Sequence, residues 1–564
     1  MSIRFVKGYD DRMAFLRWFR EVPTWYWLTC DVETTGLDPW NDKLRLVQFG
    51  TETDAWALQY PENTDTIMNA FEQDRELIGW NGKFDEQFLV NAGFEPRFEN
   101  DAKLMAHLLF SEQDIGLKAF ADNHLGADSS LAQREMREMY KRTKTNWATV
   151  PTSTYEYWFY GGMDTILTSK AAAYLYPQLV ARGYDDLYQL ELEVVKAIAA
   201  AEQRGMKVDL AYCQEQLTLL EAQAKAIQDR YKFPLGGKKQ LAEHLEADGV
   251  KLKLGRPGPK TGRRQPVLDD DAMREYGHPI ADDVLEYRGL LKNAHTYFKA
   301  YLDHEVDGRV HTTLQTMRAR TGRMSSSEPN LQNVPKREAG DYVRRAFVAD
   351  PGHTFVFADY HQIEYRIFAA DCQEPALVQA FLDGKDMHAV TAEMVLGHEP
   401  TKRERDTAKA TNFTELFGGG TEKLAKTADI SEAAAGRFKT AYHKAFPRVK
   451  PYMRAVVRFA TKNMWAIDTA FGRRVGVDTE KPYAAVNYRI QGTAADVLKR
   501  AIVRLANSQW GQYLVLTVHD ELIFCVPDHL VDKCVFELPG LMEDHETFSV
   551  PLTVEVSTAK RWGE

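Results

Sequence analysis

The sequence predicts a multidomain α/β protein, and three observations predict it. Its 564 residues exceed what one hydrophobic core accommodates, so roughly two to four domains are expected. Strand-type and helix-type apolar periodicities alternate from residue 1 to about 185 and again from about 310 onward. Between them, residues 186–230 are rich in Ala, Leu, Glu and Gln, the composition of long helices.

In chain order, Trp25–Cys30 reads as a strand, Leu44–Phe49 as a second and Ala55–Leu58 as a third. Helical spacing follows at Ile67–Phe71 and Glu86–Ala92. Residues 251–266 form a Gly/Pro/Lys/Arg loop. From Lys232 to Pro266, nine Lys/Arg face three Asp/Glu, a net +6 in a chain whose overall charge is −10. Such a run is ordinarily a solvated loop. It becomes a phosphate-gripping tip if the acids downstream are catalytic.

Composition narrows the class. Apolar content of 44% and charged content of 27% are ordinary for a globular protein. The acidic balance confines any nucleic-acid contact to local patches. The five cysteines (Cys30, Cys213, Cys372, Cys525 and Cys534) are odd in number, widely spaced and without CxxC. That argues against a disulfide framework or structural zinc and for a reducing compartment. The start, Met1–Lys7, lacks an apolar signal core, and no apolar run approaches ~20 residues. A cytoplasmic protein without a membrane anchor is expected.

Two sets of acids carry the chemistry. Val515–Phe524 reads as a hairpin with His519-Asp520-Glu521 at its apex, an acid pair at a turn. A second apolar strand, Thr354–Ala358, ends in Asp359, 161 positions earlier. Two strands that each deliver an aspartate suit a two-metal phosphoryl-transfer site. In the N-terminal third, Asp31 and Glu33 lie two apart on a strand and face one side. Asp85 opens a helix after Asn81-Gly82, and Tyr160 and Asp164 share a helix face at i and i+4. Alone, each piece is more often a solvated turn or helix surface. Together, four carboxylates could bind two metals, with Tyr160 orienting a water.

Arg405, Lys409, Phe413 and Phe417 recur every four residues, a helical stripe of two cations and two aromatics. Cations a turn apart suit a triphosphate and an aromatic suits a sugar or base, while an amphipathic helix with snorkelling cations fits the spacing equally well. Asp359 is followed by Tyr360, His361, Gln362, Glu364 and Arg366. Glu364 could pair with Arg366, or sit under an incoming sugar and exclude a 2′-hydroxyl. His388, in Asp386-Met387-His388, is a further candidate for reaching phosphate.

These motifs resemble two families. Asp31-Val32-Glu33, Asp85 and Tyr160-Gly161-Gly162-Met163-Asp164 resemble the DEDD-type 3′–5′ exonucleases of the RNase H-like fold, in the variant with a tyrosine in the last motif. Asp101 and Leu117-Lys118-Ala119-Phe120 look like that family's intervening motifs. Thr321–Asn333 (TGRMSSSEPNLQN) resembles TGRLSSxxPNLQN of the DNA polymerase I family, family A. Asp359–Arg366, Arg405–Gly418, Gln491–Asp496 (QGTAAD) and Val518–Glu521 resemble its motifs A, B, QGTAAD and C. Phe471–Arg474 and the stretch from Val550 to Trp562 also fit. The resemblance covers residues 25–564 or so.

The resemblance implies an RNase H-like exonuclease domain (1–185) followed by a right-hand polymerase: thumb 186–310, palm 311–385 and 485–564, fingers 386–484. It implies a DNA-directed DNA polymerase, with Asp359 and Asp520 holding two Mg²⁺ (or Mn²⁺) and Asp31, Glu33, Asp85 and Asp164 holding the exonuclease metals. Lys409 and Arg405, assisted by His388, would grip the triphosphate. Phe413 and Phe417 would pack on sugar and base, and Tyr360, Gln362 and Glu364 would line the sugar pocket. Arg323, Asn333, Asn487, Gln491 and His519 would touch primer-template DNA, and Lys260, Arg263 and Arg264 would hold backbone phosphates. The implied partners are primer-template DNA, dNTPs and a single-stranded 3′ end, with no membrane. Three positions depart from the family: His361 for serine, Phe417 for tyrosine and Tyr483 for arginine. Nothing before the exonuclease motifs provides for a 5′-nuclease, and the compact arrangement resembles phage replicative enzymes. A decayed primer-template scaffold and a lone 3′ exonuclease are the competing readings. Intact Asp359, Lys409 and Asp520 oppose both.

Overall fold

The computed structural model describes residues 1–126, 130–257, 262–316, 318–335 and 341–564. They form two compact units, one of 1–204, 314–325 and 356–557, the other of 205–313, 326–355 and 558–564.

The first unit opens with a mixed six-stranded sheet. Its strands are β1 (Ser2–Phe5), β2 (Leu28–Thr34), β3 (Leu44–Gly50), β4 (Asp54–Gln59), β5 (Leu77–Gly79) and β6 (Phe98–Asp101), in the order β1-β4-β3-β2-β5-β6. β2 runs antiparallel to β3 and parallel to β5. The expected strand at Trp25–Cys30 is thus displaced toward the C-terminus. Trp25 is largely exposed and Tyr26 is hydrogen-bonded to Ser169 at 2.7 Å. The ladder instead continues through Asp31 (opposite Gln48) and Glu33 (opposite Leu46). Burial decides this. Leu28, Cys30 and Val32 enter an apolar core with Phe15, Phe19, Phe49 and Leu58, while the alternate residues turn to the other face.

The long helix Tyr155–Ala181 packs on β2, β3 and β4. Gly161 and Gly162 permit the approach. A Cβ on Gly161 would collide with the Gln48 amide and lie 3.1 Å from Glu33 Oε1. The helical stretch expected over 186–230 is two helices, Asp185–Arg204 and Leu210–Gln228, divided by Gly205 at φ 59° and the strand Met206–Lys207.

A four-stranded sheet follows, in the order Leu514–Val518, Glu521–Pro527, His353–Tyr360, Val554–Ala559. Helices Ile363–Cys372 and Ala484–Ala506 pack together over an extensive apolar core that includes Val356, Ala358, Leu522 and Phe524. Helices Met387–Leu396, Lys402–Leu416, Thr421–Ala428, Glu432–Ala445 and Val449–Lys462 also belong to this unit.

The second unit is mostly helical. Ile227, Leu241, Leu245, Met273 and Val284 form its own small core. The basic stretch contains a helix, Lys238–Ala247, and its remainder is closed by a bridge between Leu254 and Pro266. The five cysteines are all buried as thiols. Among the described residues, no helix is long and apolar enough to cross a membrane.

Candidate active sites

The N-terminal acids converge because β2 alternates. Thr29, Asp31 and Glu33 face the helix Tyr155–Ala181, and the Thr29 hydroxyl donates to the Thr165 carbonyl at 3.0 Å. Asp85, in the first turn of the helix Gly82–Asn91, accepts a hydrogen bond from Val32 N at 2.9 Å. Asp101 is bound up in local structure. It caps the helix Ala102–Leu109 and accepts from Gly82 N at 2.8 Å, which fixes the start of the Asp85 helix. Lys118 pairs with Asp164, and its ammonium lies 4.5 Å from the centre of the Tyr160 ring.

Burial governs the electrostatics. It pushes the Asp31 carboxyl up to about 7, opposed by the charge of Lys118. Glu33 and Asp85 are raised well above the ordinary carboxyl range, first by burial and then by the charge of Asp31. Burial lowers Lys118 to about 8, against the pull of Asp31 and Glu33. Among the described residues, no group of three or more His, Cys, Asp or Glu side chains converges as a metal site; Lys118 lies among these acids. Buried carboxylates with raised proton affinity are nevertheless the hard, anionic oxygen set a divalent cation takes, so these residues fit a metal.

The second acid set meets at one end of the four-stranded sheet, where its two central strands lie side by side. Tyr360 N donates to the Asp520 carbonyl at 3.2 Å, joining the strand that carries Asp359 to the turn that carries Asp520. That turn is a two-residue loop with His519 at φ 57°, the left-handed region a histidine rarely adopts. The expected acid pair at the apex is only half present. Glu521 is already the first residue of its strand, paired with Val518 and buried, so Asp520 alone is at the tip. Gly322, Arg323, Met324, Lys499, His519 and Asp520 line one cavity. Arg323 is paired with Glu364; burial lowers its proton affinity, only partly opposed by the charge of Asp520.

Neighbouring residues depart from expectation in two places. Glu364 does not pair with Arg366. Arg366 instead donates to the carbonyls of His361 at 2.8 Å and Pro551 at 2.7 Å, which anchors His361. The Tyr360 ring is buried, with its hydroxyl on the Met542 carbonyl, so only its backbone reaches the site. Gln362, at φ 54°, keeps a buried Oε1 without a protein partner, as Asn487 does its Oδ1. Asn487 and Gln491 share one face of the helix Ala484–Ala506.

The stripe is on the helix Lys402–Leu416, closed at its start by a Thr401–Glu404 capping box. Phe417 is its C-terminal cap, stacked on Phe413 at 6.3 Å. Arg405 Nε donates to Asp386 at 3.0 Å, and Asp386 caps the helix that carries His388. The His388 ring lies 6.0 Å from Phe413, and Asn412 Nδ2 donates to its Nδ1 at 3.1 Å. Lys409 is half-buried on the same helix. Tyr483 backs onto Gly418, whose φ is 64°. Asn333, Arg263 and Arg264 are exposed in the second unit, and Lys260 lies outside the described residues.

Asp386 and Asn412 orient the stripe's partners, although neither was singled out as functional. Glu191 was also missed, since nothing local marks it. Its Oε1 accepts from Arg473 and Lys499, each at 2.5 Å, while Arg473 also donates to Asp496 at 2.7 Å; all four are essentially inaccessible. Glu191→Ala would leave Lys499 without its carboxylate and Arg473 with Asp496 alone, beside the Arg323 cavity. Chemical denaturation is expected to show a loss of about 3–5 kcal/mol.

Comparison with known proteins agrees with this geometry. The family description "DNA polymerase family A" matches residues 206–564, and "3'-5' exonuclease" matches residues 7–180. The chain belongs to DNA polymerase family A and carries a 3′–5′ exonuclease domain ahead of the polymerase region. The DNA polymerase of Mycobacterium phage D29 is 31% identical, over 95% of this chain and 93% of its own. That of Mycobacterium phage L5 is 29% identical over 92% and 89%. DNA polymerase I of Rhizobium leguminosarum is 31% identical over 86% of this chain and 51% of its own. In structure, the POL domain of Pol1 from M. smegmatis, solved in complex with DNA primer-template and dNTP, superposes with a TM-score of 0.81 at 24% identity, covering 100% of this chain and 99% of that one. The protein is thus an enzyme, a DNA polymerase with a 3′–5′ exonuclease, and dependence on divalent metal is general to both domains.

Proposed function

We propose that this chain extends a DNA primer with dNTPs at Asp359 and Asp520 and removes mispaired 3′ ends at Asp31, Glu33, Asp85 and Asp164. The backbone bond from Tyr360 to Asp520 carries the first half of the reading, because it places two carboxylate-bearing segments side by side. Two Mg²⁺ per site, with Mn²⁺ as a substitute, would lower the pKa of the attacking hydroxyl and neutralise the leaving oxygen. Asp359 and Asp520 would hold that pair in one site, and Asp31, Glu33, Asp85 and Asp164 in the other. Residues 1–185 would be the exonuclease, 186–310 the thumb, 311–385 and 485–564 the palm, and 386–484 the fingers.

Arg405 and Lys409 bind triphosphate oxygens in this reading. Asp386 holds the Arg405 guanidinium, and Phe413 with Phe417 offers a stacked aromatic wall. Arg323, Asn487 and Gln491 donate to minor-groove acceptors common to all correct pairs, which tests geometry rather than sequence. His519 contacts the primer end. Arg263, Arg264 and Lys260 hold backbone phosphates without sequence preference. Glu364 and Gln362 line the sugar side. On the exonuclease side, Tyr160 orients the water beside Asp164. Primer-template DNA, dNTPs and a single-stranded 3′ end are the partners, and phage DNA replication in a host cytoplasm is the setting that the phage relatives support.

His388 acts here as a neutral donor. Burial lowers it to about 4, with Asp386 pulling up and Lys409 and Arg405 pushing down. Its Nδ1 accepts from Asn412, which leaves the proton on Nε2. Because the folded value lies below the working range, His388 stays uncharged from about pH 6 to 8. The effect of His388→Ala on the KM for dNTP is expected to be the same across that window. A His388 effect that grows as the pH falls toward 6 would contradict this assignment.

The direct test of the whole reading is a labelled primer-template with Mg²⁺. Extension with dNTPs and shortening without them are expected. A chain that does neither sinks the reading.

A further inference from the structure

Metal-binding carboxylate clusters in proteins are built from oxygen donors, yet the N-terminal acids here enclose an ammonium. Lys118 lies in the short helix Leu117–Phe120, with a side chain only 16% exposed. It is paired with Asp164, sits 4.5 Å from the centre of the Tyr160 ring, and feels the charges of Asp31 and Glu33. A single lysine therefore touches or faces three of the four acids of the proposed metal set, Asp31 and Glu33 on β2 and Asp164 on the helix Tyr155–Ala181. A buried ammonium balanced by several carboxylates occupies the electrostatic position of a bound cation.

We infer that Lys118 is a built-in competitor of the divalent cation, holding the exonuclease carboxylates until it is displaced. This rests on reading those acids as the exonuclease metal site. For a cation to bind Asp164, the Lys118 ammonium must leave its ion pair and swing toward solvent on its flexible stem. No covalent step is involved. The consequence is a threshold: the exonuclease needs more free divalent cation than its carboxylates alone would require. Lys118 thereby sets the metal concentration at which proofreading begins.

Mn²⁺ binding to the full chain, read from the resonance of free Mn²⁺, tests this. The set comprises the unaltered protein, Lys118→Met and Lys118→Gln (neutral), Lys118→Arg (charge kept), and Asp31→Ala with Glu33→Ala. Both neutral variants are expected to bind Mn²⁺ at the N-terminal site on the order of tenfold more tightly, the scale of one neighbouring charge in a partly buried site. Lys118→Arg should stay near the unaltered protein. The half-maximal Mg²⁺ for 3′-end degradation should fall in parallel in the neutral variants. If the double alanine variant loses this class of sites while the neutral variants bind no more tightly than the unaltered protein, the competitor role is wrong. If the double variant keeps every site, the metal reading of these acids fails first, and the role of Lys118 fails with it.

Discussion

Asp520→Ala is expected to abolish nucleotide addition, by about 10³-fold or more, while primer-template binding stays near that of the unaltered protein. The reason lies in the division of labour around the turn. Asp520 stands at the tip of a two-residue loop, and its backbone carbonyl, not its side chain, accepts the bond from Tyr360. Truncating the carboxylate leaves that bond and the strand pairing in place. What is lost is one of the two anionic arms that would hold cations beside the primer terminus, and metal-assisted phosphoryl transfer depends on both. DNA affinity comes mainly from cations meeting phosphates, which this change does not touch. Primer extension at saturating dNTP, beside a gel-shift titration, separates the two. Full extension by the variant would defeat the two-metal assignment.

Asp31→Ala with Glu33→Ala is expected to remove degradation of single-stranded 3′ ends, again by about 10³-fold, and to spare extension. Both residues lie on the face of β2 turned to the helix Tyr155–Ala181, away from the apolar core on the other face. Replacing them removes buried like charges without opening a cavity among Leu28, Cys30 and Val32. The variant is therefore expected to fold at least as well as the parent in the absence of metal, since burial raises both carboxyls and Asp31 further raises Glu33, outweighing the pull of Lys118. Single-stranded oligonucleotide shortening without dNTPs measures the loss, and primer extension measures what is spared. Unchanged shortening would show that these acids are not the exonuclease site.

Much of the architecture was legible in the residues. The spacing of Asp31 and Glu33, of Tyr160 and Asp164, and of Arg405, Lys409 and Phe413 reports a shared face whenever the element type is right, because strand and helix periods are fixed. The apolar runs on either side of His519-Asp520 could only be a hairpin. Less legible was where β2 begins. Trp25 and Tyr26 have the intrinsic preference of strand residues, yet they stay outside the ladder. Two polar acids are strand residues because Gln48 and Leu46 sit opposite them. Tertiary pairing overrode propensity there. The same holds for Glu521, which by type belonged with Asp520 but by position is the first paired residue of the next strand.

Residue type and spacing are enough to say which chemistry this protein carries. Acids, cations and aromatics recur at intervals that backbone geometry converts into common faces, and that conversion needs no knowledge of distant partners. Whom each charged group meets is set by packing in three dimensions: Glu364 with Arg323 rather than Arg366, Glu191 with Arg473 and Lys499, and Lys118 with Asp164. Those pairings join residues far apart in the chain. They are settled by how sheets and helices stack and by the need to neutralise every charge that stacking buries, and neither condition leaves a local periodic trace.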